Sequence, residues 1–355
     1  MAKATLVARD LAPSRTLDLV KADLSAKGVT VSAYLGHGKP LASSAEQVSV
    51  DVRNSQCLFL GMSCSSDLAK EEIASAKEAI VAGVPYGFYA DTFGTSSRAW
   101  FEPLREKARF VFVMSEEEAK ATRRLFPNAE VVASGNPVLE EPFFFSGSPA
   151  ETRRLLSMSA EDLLLYCTAG KDLEVNRAHF SAVMQAVSRL EDWRRWKIFF
   201  MLHPGDQNSP TAYQDILSGD EGERVVARLM PAQDLKAMGL KSLDMIAVCD
   251  LMVAAVSTAG IEAACLRKPV IDFFSPAGLK RMKEQTGSDV WPPCEFGISR
   301  PVMGDSIELS RAIQDLMAPG GFNAMRARQK ACFPAPKERG AAVRIMTEVL
   351  TKLLS

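Results

Sequence analysis

Along this chain, short apolar runs bounded by Gly, Pro or Asp alternate with longer stretches whose apolar residues recur at helical spacing. A continuous apolar run fits a strand buried on both faces, and its alternation with amphipathic helices is the βαβα pattern of parallel sheets covered by helices. The fold class read from this pattern is α/β. In the first half it predicts strands at 5–9, 29–34, 57–60, 86–89, 110–114 and 130–133, with helices near 13–27, 67–82, 97–107 and 115–125. Ser115 followed by Glu116, Glu117 and Glu118 supplies a helix N-cap with acidic residues at the positive end of the dipole.

Pro137, Pro142, Gly147 and Pro149 then interrupt regular structure, which makes this stretch the candidate linker. The alternation restarts beyond it. Strands are expected at 163–167, 197–202, 224–229, 251–256 and 270–274, and helices near 173–190, 210–218, 241–249, 260–267, 306–318 and 338–354. The expected organisation is a Rossmann-like domain over 1–142, a second over 143–337, and a last helix over 338–355 that crosses back to the first. A length of 355 residues agrees with about two domains.

Composition narrows the function classes. Lys+Arg 42 against Asp+Glu 43 leaves a formal net charge of -1, which excludes the broad basic surface of a general nucleic-acid binder. Hydrophobic residues at 47% exclude disorder for most of the chain. Seven cysteines without a CxxC pair point to a reducing compartment without a disulfide framework. The N-terminal stretch lacks the apolar core of a signal peptide, and no apolar run is long enough for a membrane span, so a cytoplasmic location is expected. The three histidines, His37, His179 and His203, have no zinc-site spacing, and neither a metal nor a cofactor is expected.

Ligands of open parallel sheets bind beyond the carboxyl ends of the strands, so the residues just after strands carry the candidate chemistry. In DLMVAAVSTAGIEAACLRKPVIDFF a strand runs into Ser257, Thr258, Ala259 and Gly260, and Glu262 follows in the opening helix. Two hydroxyls, a glycine allowing close backbone approach and free helix amides suit a diphosphate, and Glu262 could accept hydrogen bonds from ribose. The alternative is an ordinary Ser/Thr N-cap with Glu262 in a capping box. His203 opens the HPGDQN turn, where an imidazole can donate to phosphate or exchange protons, or simply cap a strand. Pro204 and Gly205 turn the chain outward there.

Three more turns are candidates. Ser134-Gly135-Asn136-Pro137 gives a tight turn that sets Asn136 at the mouth of an expected cleft, or serves as a hinge. Gly170 and Lys171 lie in a small-residue loop that cradles a phosphate or is a plain β–α turn, without P-loop spacing. Asp91 follows a strand as a catalytic carboxylate or a cap.

The order of these motifs resembles the GT-B superfamily: GNP closing a first α/β domain, an HP loop, a DM…CDL helix-strand and an S-T-x-G-x-E…KPVI segment. That superfamily includes lipid A disaccharide synthase, MurG-type transferases and non-hydrolysing UDP-N-acetylglucosamine 2-epimerases. The resemblance implies two Rossmann-like domains whose sheets face across a cleft. It places Ser257, Thr258 and Gly260 on the donor diphosphate, Glu262 on ribose, and the backbone of Leu229-Met230-Pro231 on the base. It implies a metal-independent glycosyltransferase using a nucleotide sugar, with His203 and Asp91 catalytic; uridine is the default donor base and cytidine stays open.

Departures from the epimerases bear on the alternative. Their His-Arg-Arg-Glu-Asn stretch is His203-Pro204-Gly205-Asp206-Gln207-Asn208 here, without either arginine. Their Gly-Asp-Thr turn corresponds to Gly61-Met62-Ser63, without the carboxylate, and their first-domain acidic pair is represented by Asp91 alone. An epimerase or hydrolase is thus the second expectation, and a non-catalytic nucleotide-sugar-binding protein the third. The expected partners are a nucleotide-sugar donor, an acceptor the sequence does not name, and a possible homo-oligomer. The cationic LKRMKEQ stretch (279–285) is expected to be a solvated helix face.

Overall fold

The computed structural model describes residues 2–354 apart from 169, 204, 205, 207, 220, 222, 223 and 256, and at 285 the backbone alone. The chain divides into two compact units, the first comprising Met1–Glu141, Gln285–Ser288 and Ala335–Ser355, the second Pro142–Glu284 and Asp289–Pro334. Each is built on a six-stranded sheet in which every neighbouring pair is parallel.

The first sheet contains β1 (Lys3–Ala8), β2 (Thr30–Leu35), β3 (Cys57–Gly61), β4 (Tyr86–Tyr89), β5 (Phe110–Val113) and β6 (Glu130–Ala133), in the order β2-β1-β3-β4-β5-β6. The central strands are buried on both faces, the physical counterpart of their continuous apolar runs. Apolar side chains alternate between two cores. One is built on Leu58, Leu60, Phe88 and Val111; the other joins Leu6, Phe59 and Phe112 to Leu17 and Val20 of the helix Leu11–Ala26 and to Met346 and Leu350 of the helix Ala341–Leu354. The last helix thus belongs to the first unit.

The second sheet contains β7 (Leu163–Thr168), β8 (Trp196–Met201), β9 (Val226–Met230), β10 (Leu251–Ala254), β11 (Val270–Phe274) and β12 (Arg300–Met303), in the order β12-β11-β10-β7-β8-β9. The chain starts in the middle, winds outward one way and returns to wind the other. The reversal falls between β7 and β10, and in the first sheet between β1 and β3. At such a switch point the connections leave on opposite faces and open a crevice at the carboxyl ends.

Several sequence expectations are corrected. The segment 97–107 is not α-helical but two 3-10 turns, Thr95–Ser97 and Ala99–Leu104, because Pro103 removes an amide donor. The proline-rich linker is regular over much of its length: Pro137–Phe144 is 3-10 helix, and Pro149 opens the helix Pro149–Leu155, a position where the missing amide costs nothing. The segment 210–218 is 3-10 over Pro210–Tyr213 and helical only over Gln214–Ser218. Strand β12 and the helices Ala45–Arg53 and Asn323–Cys332 were not expected. The expected end of the 251–256 strand at Val256 lies outside the described residues.

Candidate functional site

The switch point of the second sheet gathers most of the candidates. Beyond β10, Ser257 caps the helix Thr258–Cys265 and its Oγ accepts a hydrogen bond from the Ala259 amide at 3.3 Å. Thr258 is exposed beside it. A capping box would pair Ser257 with the third helical residue, which is Gly260, so Glu262 plays no such part. The Glu262 carboxyl is half-buried, has no hydrogen-bonding or ionic partner among the described residues, and is pushed up to about 7 by burial.

Gly260 is buried, and a Cβ built there would meet Ala254 Cβ and Val270 Cγ1 at 3.5 Å, so that side of the residue faces the sheet. Behind it Ser257, Trp291 and Ser299 pack together without room for a water molecule, and the buried Asp272 on β11 lies among them. Burial pushes that carboxyl up to about 7.

Beyond β7, Ala169 lies outside the described residues and Gly170 follows. Nothing stands within 4 Å of a Cβ built on Gly170, so the turn is open on that side. Its carbonyl accepts from Asn176 Nδ2 at 3.0 Å, and Asp172 caps the helix Leu173–Ser188 by accepting from Val175 at 3.1 Å. Thr168, the last residue of β7, is buried with its Oγ1 unpartnered among the described residues. Beyond β8, His203 is exposed, and Pro204, Gly205 and Gln207 lie outside the described residues. Its pKa is lowered by partial burial and by the charges of Lys171 and Arg281, with Asp206 opposing. Arg281 also reaches Asp172 at 3.8 Å. The 279–285 segment is therefore more than a solvated face, because it brings a guanidinium into the field of His203. Three elements converge His203, Lys171 and Arg281, a combination that attracts anions.

Met230 does not lie in a loop. It ends β9, its side chain is buried in the core, and its carbonyl accepts from the Leu202 amide at 3.3 Å. The Met230 carbonyl thus holds β9 to the residue that follows β8, at the end of a strand and not in a loop.

In the first unit the crevice lies beyond β1, β3 and β4. Gly61 ends β3 because a Cβ there would stand 2.8 Å from Pro13 Cβ, and this close packing sets the first turn of the helix Leu11–Ala26 beside the strand. Asp10 caps that helix and accepts from the Leu11 amide at 2.8 Å and from the Cys64 amide at 3.1 Å. Ser63 accepts from the Asp10 amide at 3.2 Å and donates to Glu72, a buried carboxyl pushed up to about 7 by burial. Arg98, 7% exposed, donates to the Met62 carbonyl, and its Nε is unpartnered among the described residues.

Asp91 follows β4. Burial is the main cause that pushes its carboxyl up to about 6; the Asp10 charge adds to the rise and Arg98 opposes it. Its carbonyl accepts from Asn136 Nδ2 at 2.7 Å, while Asn136 Oδ1 accepts from the Val138 amide at 2.9 Å. Asn136 therefore supports Asp91, and the Gly61-Met62-Ser63 turn has a carboxylate beside it after all, from Asp10. Sequence spacing could not reveal Asp10: only the pairing of β1 with β3 brings it to Cys64. Among the described residues no group of three or more His, Cys, Asp or Glu is placed to hold a metal ion, and no helix is long and apolar enough to cross a membrane.

No family model and no curated protein matches the chain. Solved structures do match it along its whole length. The UDP-GlcNAc 2-epimerase from Neisseria meningitidis, bound to UDP-GlcNAc, superposes with a TM-score of 0.60 at 13% identity, covering 99% of this chain and 100% of that one. A glycosyltransferase from Rickettsia africae gives 0.62 at 11% identity, over 100% and 98%. Phytolacca americana UGT2, complexed with UDP-2-fluoro-glucose and pterostilbene, gives 0.58 at 11% identity, over 100% of both chains. The chain shares the fold of these structures: two α/β units, each on a six-stranded parallel sheet.

Proposed function

We propose that this protein is a nucleotide-sugar-dependent enzyme, and specifically a glycosyltransferase that moves a sugar from a UDP-sugar to an acceptor hydroxyl. The observation that carries it is the helix N-terminus at the second switch point, with Ser257 and Thr258 at its start and an unpartnered Glu262 one turn along. Helix amides and hydroxyls neutralise a diphosphate, and a carboxylate among them accepts from ribose. Lys171 and Arg281 add positive charge for the departing nucleotide, and His203, whose pKa they help to lower, offers a hydrogen-bonding imidazole.

In the transfer, the acceptor oxygen bonds to the anomeric carbon and its proton passes to Asp91. The bond from that carbon to the diphosphate oxygen breaks, and the electron pair leaves with the nucleotide. Electrostatic stabilisation of that leaving group by fixed donors is the main catalytic term in this scheme. Calorimetry tests the reading: UDP binds the intact protein, Ser257→Ala and Glu262→Ala weaken it, and failure of UDP, CDP and CMP alike to bind sinks it.

Asp10 beside Asp91 favours a second reading, epimerisation or hydrolysis of UDP-GlcNAc, because two carboxyl groups with different surroundings can divide acid and base roles. Turnover of UDP-GlcNAc without any acceptor would select it.

A further inference from the structure

The segment that follows β4 carries Asp91 and is tied down by groups with no contact to any candidate ligand. Glu118 stands in the first turn of the helix Glu116–Leu125 and is 2% exposed. Its Oε1 accepts from the Gly94 amide at 3.1 Å and from Ser96 Oγ at 3.2 Å. Thr122, one turn further, donates to Ser96 Oγ at 2.9 Å. Thr95 lies between those two anchored residues, and its hydroxyl reaches Asp91 Oδ1 at 3.5 Å. Gly94 takes a left-handed φ of 73° at the bend, so the path back from Asp91 is set by a residue that tolerates it. On the other side Asn136 holds the Asp91 carbonyl.

The buried Glu118 carboxyl ties this turn to the helix through the Gly94 amide and the Ser96 hydroxyl, and hydrogen bonds of this kind offset the cost of burying a carboxyl. We propose that Glu118 is a positioning residue: with Asn136 it clamps the 91–98 turn from two sides and holds the Asp91 carboxyl where it can take the acceptor's proton. This rests on the reading of Asp91 as the base. The groups that face Asp91 are Asp10 and Cys64 from the neighbouring crevice turns, Arg98 from its own turn, and Tyr89 at the end of β4. Glu118 acts through the turn and not through its charge at that carboxyl.

The test uses the full chain and four variants: Glu118→Ala, Glu118→Gln, Ser96→Ala and Asp91→Asn. Selective carboxyl-¹³C labelling of aspartate gives a signal for Asp91, assigned by its loss in Asp91→Asn, and its titration midpoint is followed with pH. UDP affinity and UDP release from UDP-GlcNAc are measured in parallel. The expected result is a displaced Asp91 midpoint in Glu118→Ala, a smaller displacement in Ser96→Ala, and near-normal behaviour in Glu118→Gln, which keeps the acceptor oxygen. Turnover drops at least tenfold in Glu118→Ala while UDP affinity stays within twofold.

An unchanged midpoint in both Glu118→Ala and Ser96→Ala overturns the proposal, as does loss of UDP affinity in step with turnover. If no UDP-sugar turns over at all, the reading of the function fails, and the midpoint still decides whether Glu118 sets the Asp91 turn. Should Glu118→Ala not fold, Ser96→Ala, which leaves the buried carboxylate in place, decides alone.

Discussion

At the scale of single residues, the same side chain type is put to different uses by its surroundings. Asp10 is an N-cap whose oxygens are taken by two amides, whereas the half-buried Asp91 carboxyl has a long contact to Thr95 and lies in the field of a second carboxyl. With a carboxyl raised to about 6, Asp91 loses its proton just below neutrality and becomes competent as a base as pH rises through that value. The rate of nucleotide-sugar turnover is therefore expected to climb between about pH 5 and 7. Asp91→Asn is expected to lower it by about 10²-fold or more with UDP affinity unchanged; a pH–rate profile beside calorimetry checks both. On the donor side, Ser257→Ala removes one hydroxyl from the helix N-terminus, and UDP affinity is expected to fall about fivefold, roughly 1 kcal/mol, by titration calorimetry. His203, Asp91, Ser257 and Glu262 were legible in the sequence because each follows a strand. Asp10, Glu118 and Arg281 were not: no local pattern singles out Asp10, Glu118 reads as an acidic residue in a first helical turn and Arg281 as part of a solvated helix face, and their partners lie far along the chain.

At the scale of elements, the apolar runs gave the strands because strands buried on both faces need nothing polar along their length. The edge strand β12, with Arg300 and Pro301 in a half-exposed run, carries no such signal. Three-residue periodicity misled at 97–107, where 3-10 turns share part of the helical pattern. Within β4 the fit is tight: a Cβ on Gly87 would stand 2.3 Å from the Phe110 carbonyl oxygen and 2.4 Å from its ring. Gly87→Ala is thus expected to cost about 1–3 kcal/mol by overpacking, and it acts on the strand that presents Asp91. A lowered thermal midpoint together with loss of turnover, without loss of UDP affinity, is the expected pattern.

At the scale of the whole molecule, three carboxyls, the buried Glu72 and Asp272 and the half-buried Glu262, are each pushed up to about 7 by removal from water. The folded state holds protons that the unfolded chain would release near pH 4, so these groups cost stability as pH rises from about 4 through 7. The midpoint of thermal unfolding is expected to fall between pH 5.5 and 8, and Asp272→Asn is expected to flatten that fall; fluorescence-monitored melting across the range checks it. By itself the sequence determined the α/β class, the positions of most strands and the turns that carry Ser257, His203 and Asp91, because hydrophobic period and turn chemistry are local properties. Only the tertiary structure decided the order in which strands pair, and hence where each sheet reverses. It also decided that the last helix packs with Leu17 and Val20 in the core of the first unit, that Met230 is core, and that Asp10 stands by Asp91. Those outcomes depend on contacts between residues distant in sequence, for which no local pattern carries a signal.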